Sequence, residues 1–339
     1  MQRRLGRQTV VPHSPAVILA HAAVGGRQEG AGPLAPYFDR IDNDSFFGQE
    51  TWEKAESAMQ KAALSIALEK AGLSGGELDY VLAGDLLNQC IGSSFCLRDF
   101  AIPFYGLYGA CSTMGESLAL GTMLVAGGFA QHLGAMTSSH FCTAERQYRM
   151  PVPYGSQRPP TAQWTATAAG CAILGAHGTG PRITAITCGK IVDKGICDAN
   201  NMGAAMAPAA AETILRHCAD TGRTPADFDA VYTGDLGLVG SRLLAKLLEA
   251  EGLEMKNHTD CGLELYDVHK QEVQAGGSGA GCSAAVLCGR VLPALRKGQM
   301  RRVLFLSTGA LMSQITSQQG QSIPGVAHLV ELVSEEAEE

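Results

Sequence analysis

Along the chain, the spacing of apolar positions alternates between two periods. Residues 51–71 (TWEKAESAMQKAALSIALEKA) and 208–221 (PAAAETILRHCADT) carry apolar positions at helical spacing, while residues 80–83 and 230–233 are apolar runs of strand length. Between helix and strand, each copy has a capped turn, Ser74-x-x-Glu77 in one and Thr224-x-x-Asp227 in the other, the second with Pro225 at its first position. Each apolar run then closes on Gly-Asp, at Asp85 and Asp235. GLSGGELDYVLAGDL (72–86) and GRTPADFDAVYTGDL (222–236) therefore repeat one unit, with every matching residue 150 positions after its partner.

A second echo follows in the same order. Residues 111–128 (CSTMGESLALGTMLVAGG) and 281–298 (GCSAAVLCGRVLPALRKG) predict helices of small residues, each leading to a strand, at 133–138 and 303–307. Further strands are predicted at 16–22, 167–174 and 182–192, with a glycine turn at 175–181. Helices alternating with short apolar strands in both halves predict an α/β fold with helix-covered sheets. The expected division is a half at residues 1–178 and a half at 179–339. Residues 139–164 break the pattern: Pro151, Pro153, Pro159 and Pro160 rule out regular structure, and the whole segment reads as a long loop.

Composition narrows the class. In 339 residues, 46% are apolar, 17% are charged and 41 are glycines, which gives a large core with room for close helix–sheet contacts. Net charge is −7 and no basic run is long enough for a nucleic-acid stripe; the acidic end at 334–339 reads as a solvated tail. The 11 cysteines include no CxxC pair and no metal-site spacing, so reduced thiols and no metal are expected, and no motif calls for a cofactor. Pro12, His13 and Ser14 interrupt the basic, then apolar, N-terminus, which argues against a signal peptide. No apolar stretch reaches the roughly 18 residues of a membrane span; residues 118–130 come closest. A soluble chain is the expectation.

Cys111 is predicted to open the first small-residue helix, where unpaired N–H groups and the helix dipole favour a thiolate. Around this opening the duplicated unit resembles the thiolase superfamily: Arg98, Ile102-Pro103, Gly109-Ala110-Cys111-Ser112, the glycine-rich stretch 276–281 and the closing strand at 325–333. The resemblance covers nearly the whole chain and implies a layered αβαβα arrangement of two halves related by a pseudo-twofold axis, with buried central helices. Within the superfamily, AGDLLNQ (83–89), YGACST (108–113), TSSH (137–140), TAERQYR (143–149), AMAPAAAETI (205–214), TGDLGLVGS (233–241), DCGL (260–263) and AGGSGAGCSA (275–284) are similar to the stage V sporulation protein AD family. This resemblance implies non-catalytic binding of dipicolinic acid (pyridine-2,6-dicarboxylate), either free or as its calcium chelate. It also implies membership of the assembly that loads this compound into the developing spore and is associated with its release on germination. The implied partners are the other proteins of that assembly, the implied location is peripheral at the spore inner membrane, and thiolase folds imply a homodimer.

The chemistry can be tested residue by residue. Condensing enzymes of this superfamily place a histidine after the second glycine of the C-half loop; here that residue is Ser278, which cannot take up a proton near neutrality. The other imidazole or amide position falls near residues 234–237, where only Asp235 is available. Asp85 and Asp235 are given a structural role at their turns. A planar dianion calls for guanidinium, hydroxyl and amide donors beside an aromatic or apolar slot. The candidate ligand-binding residues are Cys111, Asn88, Ser138, Ser139, His140, Arg146, Arg149, Tyr154 and Ser278, with Arg158 the weakest of the loop arginines. Two alternatives stay open: a cysteine-dependent acyltransferase of ketoacyl-synthase type, and a structural partner with a vestigial pocket.

Overall fold

The computed structural model describes residues 3–149 and 158–335. The first half runs β1 (Ala16–Gly25), α1 (Trp52–Ala71), β2 (Tyr80–Gly84), α2 (Ile91–Leu97), β3 (Phe104–Gly106), α3 (Thr113–Ala126), β4 (His132–Ser139), α4 (Phe141–Arg149) and β5 (Ala168–Gly175). The second runs β6 (Arg182–Thr187), α5 (Met202–Thr221), β7 (Ala230–Thr233), α6 (Gly237–Ala250), β8 (His258–Asp260), α7 (Ala280–Val286), β9 (Arg302–Ala310) and β10 (Gly325–Val333). Strand order is β3-β2-β4-β5-β1 in one half and β8-β7-β9-β10-β6 in the other, so each strand has a counterpart in the same place. The halves join where β6 lies antiparallel to β1, with Arg182 opposite Val17 and Ile183 opposite Ala16.

The repeated unit explains this likeness. In both copies the capping box forms, with the Ser74 N–H donating to Glu77 at 2.8 Å and the Thr224 N–H donating to Asp227 at 2.7 Å. The repeated Asp79 and Asp229 then accept the backbone N–H groups that open the neighbouring strand, those of Gln131 and His132 in one copy and Arg301 and Arg302 in the other. These clamps set the parallel register, in which Tyr80 faces Leu133 and Ala230 faces Val303.

Both faces of the strands are buried, so alternate residues enter different cores. Leu82, Leu133, Val303 and Phe305 face the central layer with Met114 and Leu118 of α3 and Val286 of α7. Val81 and Met136 face outward to Met59 and Leu64 of α1, while Leu304 and Leu306 face Met206 and Ile214 of α5. Helix α3 packs on β2 and β4 of its own half and on β9 and β10 of the other. The result is a helix–sheet–helix–sheet–helix stack.

Four expectations change. Residues 141–149 form helix α4, because all four prolines of the segment lie beyond Arg149 and nothing before them breaks a helix. Helix α5 begins at Met202 rather than at residue 208, with Asn201 capping the Ala204 N–H and Pro208 held inside the helix. The second small-residue helix is interrupted by a π-turn at Leu287–Val291 before Leu292–Arg296, where Pro293 has no N–H to continue the ladder. Strand β6 stops at Thr187, and Val192 makes only an isolated bridge to Gly325.

Candidate functional site

The strand ends and helix starts of both halves meet at Cys111. A tight turn at Ala110–Ser112 delivers this residue to the start of α3, and Ala110 takes a left-handed φ of 52°, an uncommon conformation for a residue with a side chain. Gln89 (φ 59°) and Cys90 (φ 51°) are held the same way in the loop after Asp85. The thiol is buried in a chamber of about 40 Å³ lined by Leu86, Ala144, Tyr148, Ser278 and Met312, among others.

Asp235 stands against the sulfur. Its carboxylate accepts the Ser278 hydroxyl at 3.0 Å, the Gly279 N–H at 2.9 Å and the Thr308 hydroxyl at 2.8 Å, and it meets the Cys111 thiol. Burial pushes the thiol well above its ordinary range, and the Asp235 charge pushes it further the same way. The effect of the helix start is overridden, and Cys111 stays a thiol. Burial also raises the Asp235 carboxyl, although its four hydrogen-bonding neighbours oppose the shift. Asp235 does not cap its own turn as expected, since the Leu236 and Gly237 N–H groups go to Asp260 and the Asp235 carboxylate faces the sulfur. Asp85 does cap its turn, accepting from Leu87 N–H, Ser93 N–H and the Ser93 hydroxyl.

Beyond the chamber lies a wider vestibule of about 630 Å³, whose lining includes Asn88, Tyr108, Arg146, Gln147, Ser313 and Thr316. Helix α4 forms one wall and is tied to the loop after Asp85: Gln147 donates to the Leu86 carbonyl at 2.8 Å and accepts the Asn88 N–H at 3.0 Å. Arg146 is paired with Glu53 and lies over the Trp52 ring at 5.5 Å.

The nominated residues thus separate. Cys111 and Ser278 line the chamber, and Asn88 and Arg146 line the vestibule. Ser138 donates to Glu56, and Ser139 donates to the Ala166 carbonyl and accepts the Gly281 N–H, so both hydroxyls are engaged in the scaffold. His140 is turned to another cavity: Nε2 lies 2.8 Å from the Ser45 carbonyl and Nδ1 accepts the Cys142 N–H. Burial lowers its pKa. Arg158 pairs with Glu145 and lies over the Phe141 and Trp164 rings. The Arg149 side chain and Tyr154 fall outside the described residues. No histidine is among the described residues that line the chamber. No group of three or more His, Cys, Asp or Glu side chains among the described residues is placed to hold a metal ion.

Met202, Thr308 and Met312 were not nominated as ligand contacts from sequence. Thr308 could have been found, because it directly follows the strand predicted at 303–307, as Ser139 follows the one predicted at 133–138.

The family model for stage V sporulation protein AD matches residues 6–333. The chain belongs to that family. Its relatives include the stage V sporulation protein AD of Bacillus subtilis (strain 168), 42% identical over 324 residues, which cover 95% of this chain and 96% of the relative. Among solved structures, 3-oxoacyl-[acyl-carrier-protein] synthase III from Aquifex aeolicus VF5 is similar with a TM-score of 0.57 at 13% identity, covering 94% of this chain and 99% of that one. OleA from Xanthomonas campestris gives a TM-score of 0.59 at 13% identity, covering 98% and 99%. At that identity the likeness concerns the fold, which is thiolase-like.

Proposed function

We propose that this member of the sporulation family binds dipicolinic acid without transforming it. The observation that carries this reading is the group beside Cys111: the Asp235 carboxylate and the Ser278 hydroxyl stand at the sulfur, and no histidine is among the described residues that line its chamber. Burial, and then the carboxylate beside it, push the thiol well above its ordinary range, the reverse of what nucleophilic catalysis needs. The vestibule supplies what a planar dicarboxylate asks for: the Arg146 guanidinium, the amides of Asn88 and Gln147, the hydroxyls of Ser313 and Thr316, and the rings of Tyr108 and Tyr148. Its volume falls in the range of small-molecule sites.

On this reading the protein serves loading of the compound into the developing spore and its release on germination. It would act as a peripheral member of a membrane assembly, as a homodimer. No helix among the described residues is long and apolar enough to cross a membrane. Titration calorimetry with dipicolinate tests the reading: the native chain gives a saturable heat, and Arg146→Ala weakens binding by about tenfold or more. No heat and no competition in the native chain would remove it.

The acyltransferase alternative rests on Cys111 at the start of α3 and on the fold of the neighbours. Incubation with acetyl- or malonyl-CoA followed by mass spectrometry distinguishes the two. Binding alone leaves Cys111 unmodified, whereas a stable acyl adduct would restore the enzyme reading.

A further inference from the structure

Two cavities of very different size lie end to end here, and Ala110, Tyr148 and Met312 line both. The inner one, about 40 Å³ around Cys111, takes a water or two but no ring; the outer one, about 630 Å³, takes a small molecule. Tyr148 is held in this position by its hydroxyl, which donates to the Leu86 carbonyl at 2.5 Å and lies 3.4 Å from the Tyr108 hydroxyl. The same Leu86 oxygen also accepts from Gln147, so it keeps a partner when the tyrosine hydroxyl is lost. The third boundary residue, Ala110, takes a left-handed backbone conformation.

We propose that the Tyr148 ring, backed by Met312, is a partition that shuts the Cys111 thiol off from whatever occupies the vestibule, and so confines a ligand to the outer cavity. The partition rests on cavity shape and bonding alone; only its use against dipicolinate rests on the proposed function. The ring does the blocking and the hydroxyl only steadies it, because the Leu86 oxygen is doubly bonded. Tyr148 and Met312 would then set the size of guest that reaches the sulfur.

Iodoacetamide labelling of the full chain at fixed pH, followed peptide by peptide with mass spectrometry, tests this. In the native protein Cys111 labels far more slowly than the exposed Cys197. Tyr148→Ala speeds Cys111 by about tenfold or more, while Tyr148→Phe changes it only slightly. Cys171 and Cys288, buried in the core away from the chamber, report any general loosening. If Tyr148→Ala speeds all three, Met312→Ala takes its place under the same criteria. Native Cys111 reacting as fast as Cys197, or an alanine variant leaving Cys111 unchanged with the two controls silent, overturns the partition. Dipicolinate is then added to the native protein. Slower Cys111 labelling supports a guest in the vestibule. Calorimetric binding without slowing moves the guest elsewhere and leaves the partition standing. Absence of binding in calorimetry bears on the proposed function only.

Discussion

Glu56 is buried between α1 and the end of β4, and its surroundings fix its protonation. Thr143 Oγ lies 2.9 Å from both Glu56 Oε2 and the His140 carbonyl oxygen. One hydroxyl proton serves only one of these acceptors, so the arrangement is satisfied when Glu56 is protonated and donates to Thr143, which donates to His140. Burial, and then the nearby Asp85 charge, push the Glu56 carboxyl from 4.5 up to about 8. The folded chain therefore holds a proton that the unfolded chain releases near pH 4.5, and this stability is lost as pH rises through about 8. Thermal melts should show stability falling across this window, and Glu56→Gln should flatten the fall; an unchanged slope counts against the protonated form. A second residue-scale expectation concerns the sulfur. Asp235→Asn removes the negative neighbour of Cys111, so the pH profile of Cys111 alkylation should move to lower pH while staying above that of an exposed cysteine, because burial remains.

At the scale of elements, the central layer depends on close approach. A Cβ on Gly281 would lie 2.2 Å from the Ala168 carbonyl oxygen and 2.8 Å from the Ser139 nitrogen, both fixed backbone atoms of neighbouring strands. Gly281→Ala must push α7 off β4 and β5, and a loss of roughly 1–3 kcal/mol in denaturant unfolding is expected; a neutral result would mean that the helix shifts freely. Elements of this kind were legible in the sequence because two signals agreed, periodicity and repetition. The capping boxes at Ser74 and Thr224 and the Gly-Asp ends marked the bounds of both strands. Helix α4 was hidden because the prolines after it coloured the whole segment, although Phe141–Arg149 contains none. The start of α5 was hidden by Pro208, a residue usually found at a helix opening and here tolerated within one. The placing of Cys111, Ser278, Asn88 and Arg146 around one opening was legible. That of His140 was not, since sequence places a residue at a strand end without saying which way its ring turns. Asp235 was misjudged for the same reason, its symmetry with Asp85 standing in for its surroundings.

At the scale of the whole molecule, the two halves share the central core and an antiparallel seam at β1 and β6, so they should unfold as one unit. Both tryptophans, Trp52 and Trp164, lie in the first half, whereas Leu306 is buried in the outer core of the second. Leu306→Ala, expected to cost about 2–5 kcal/mol, should lower the melting transition seen by tryptophan fluorescence as much as that seen by far-ultraviolet circular dichroism. Separate transitions would mean that the halves are independent. The repeated carboxylates show what such a duplication permits. Asp85 braces its own turn, but in the second copy the N–H groups of Leu236 and Gly237 go instead to Asp260, at 2.9 and 3.0 Å. With that duty taken by a residue from a neighbouring strand, the Asp235 carboxylate is left to face the sulfur, and two like parts enclose between them a space to which each contributes different walls.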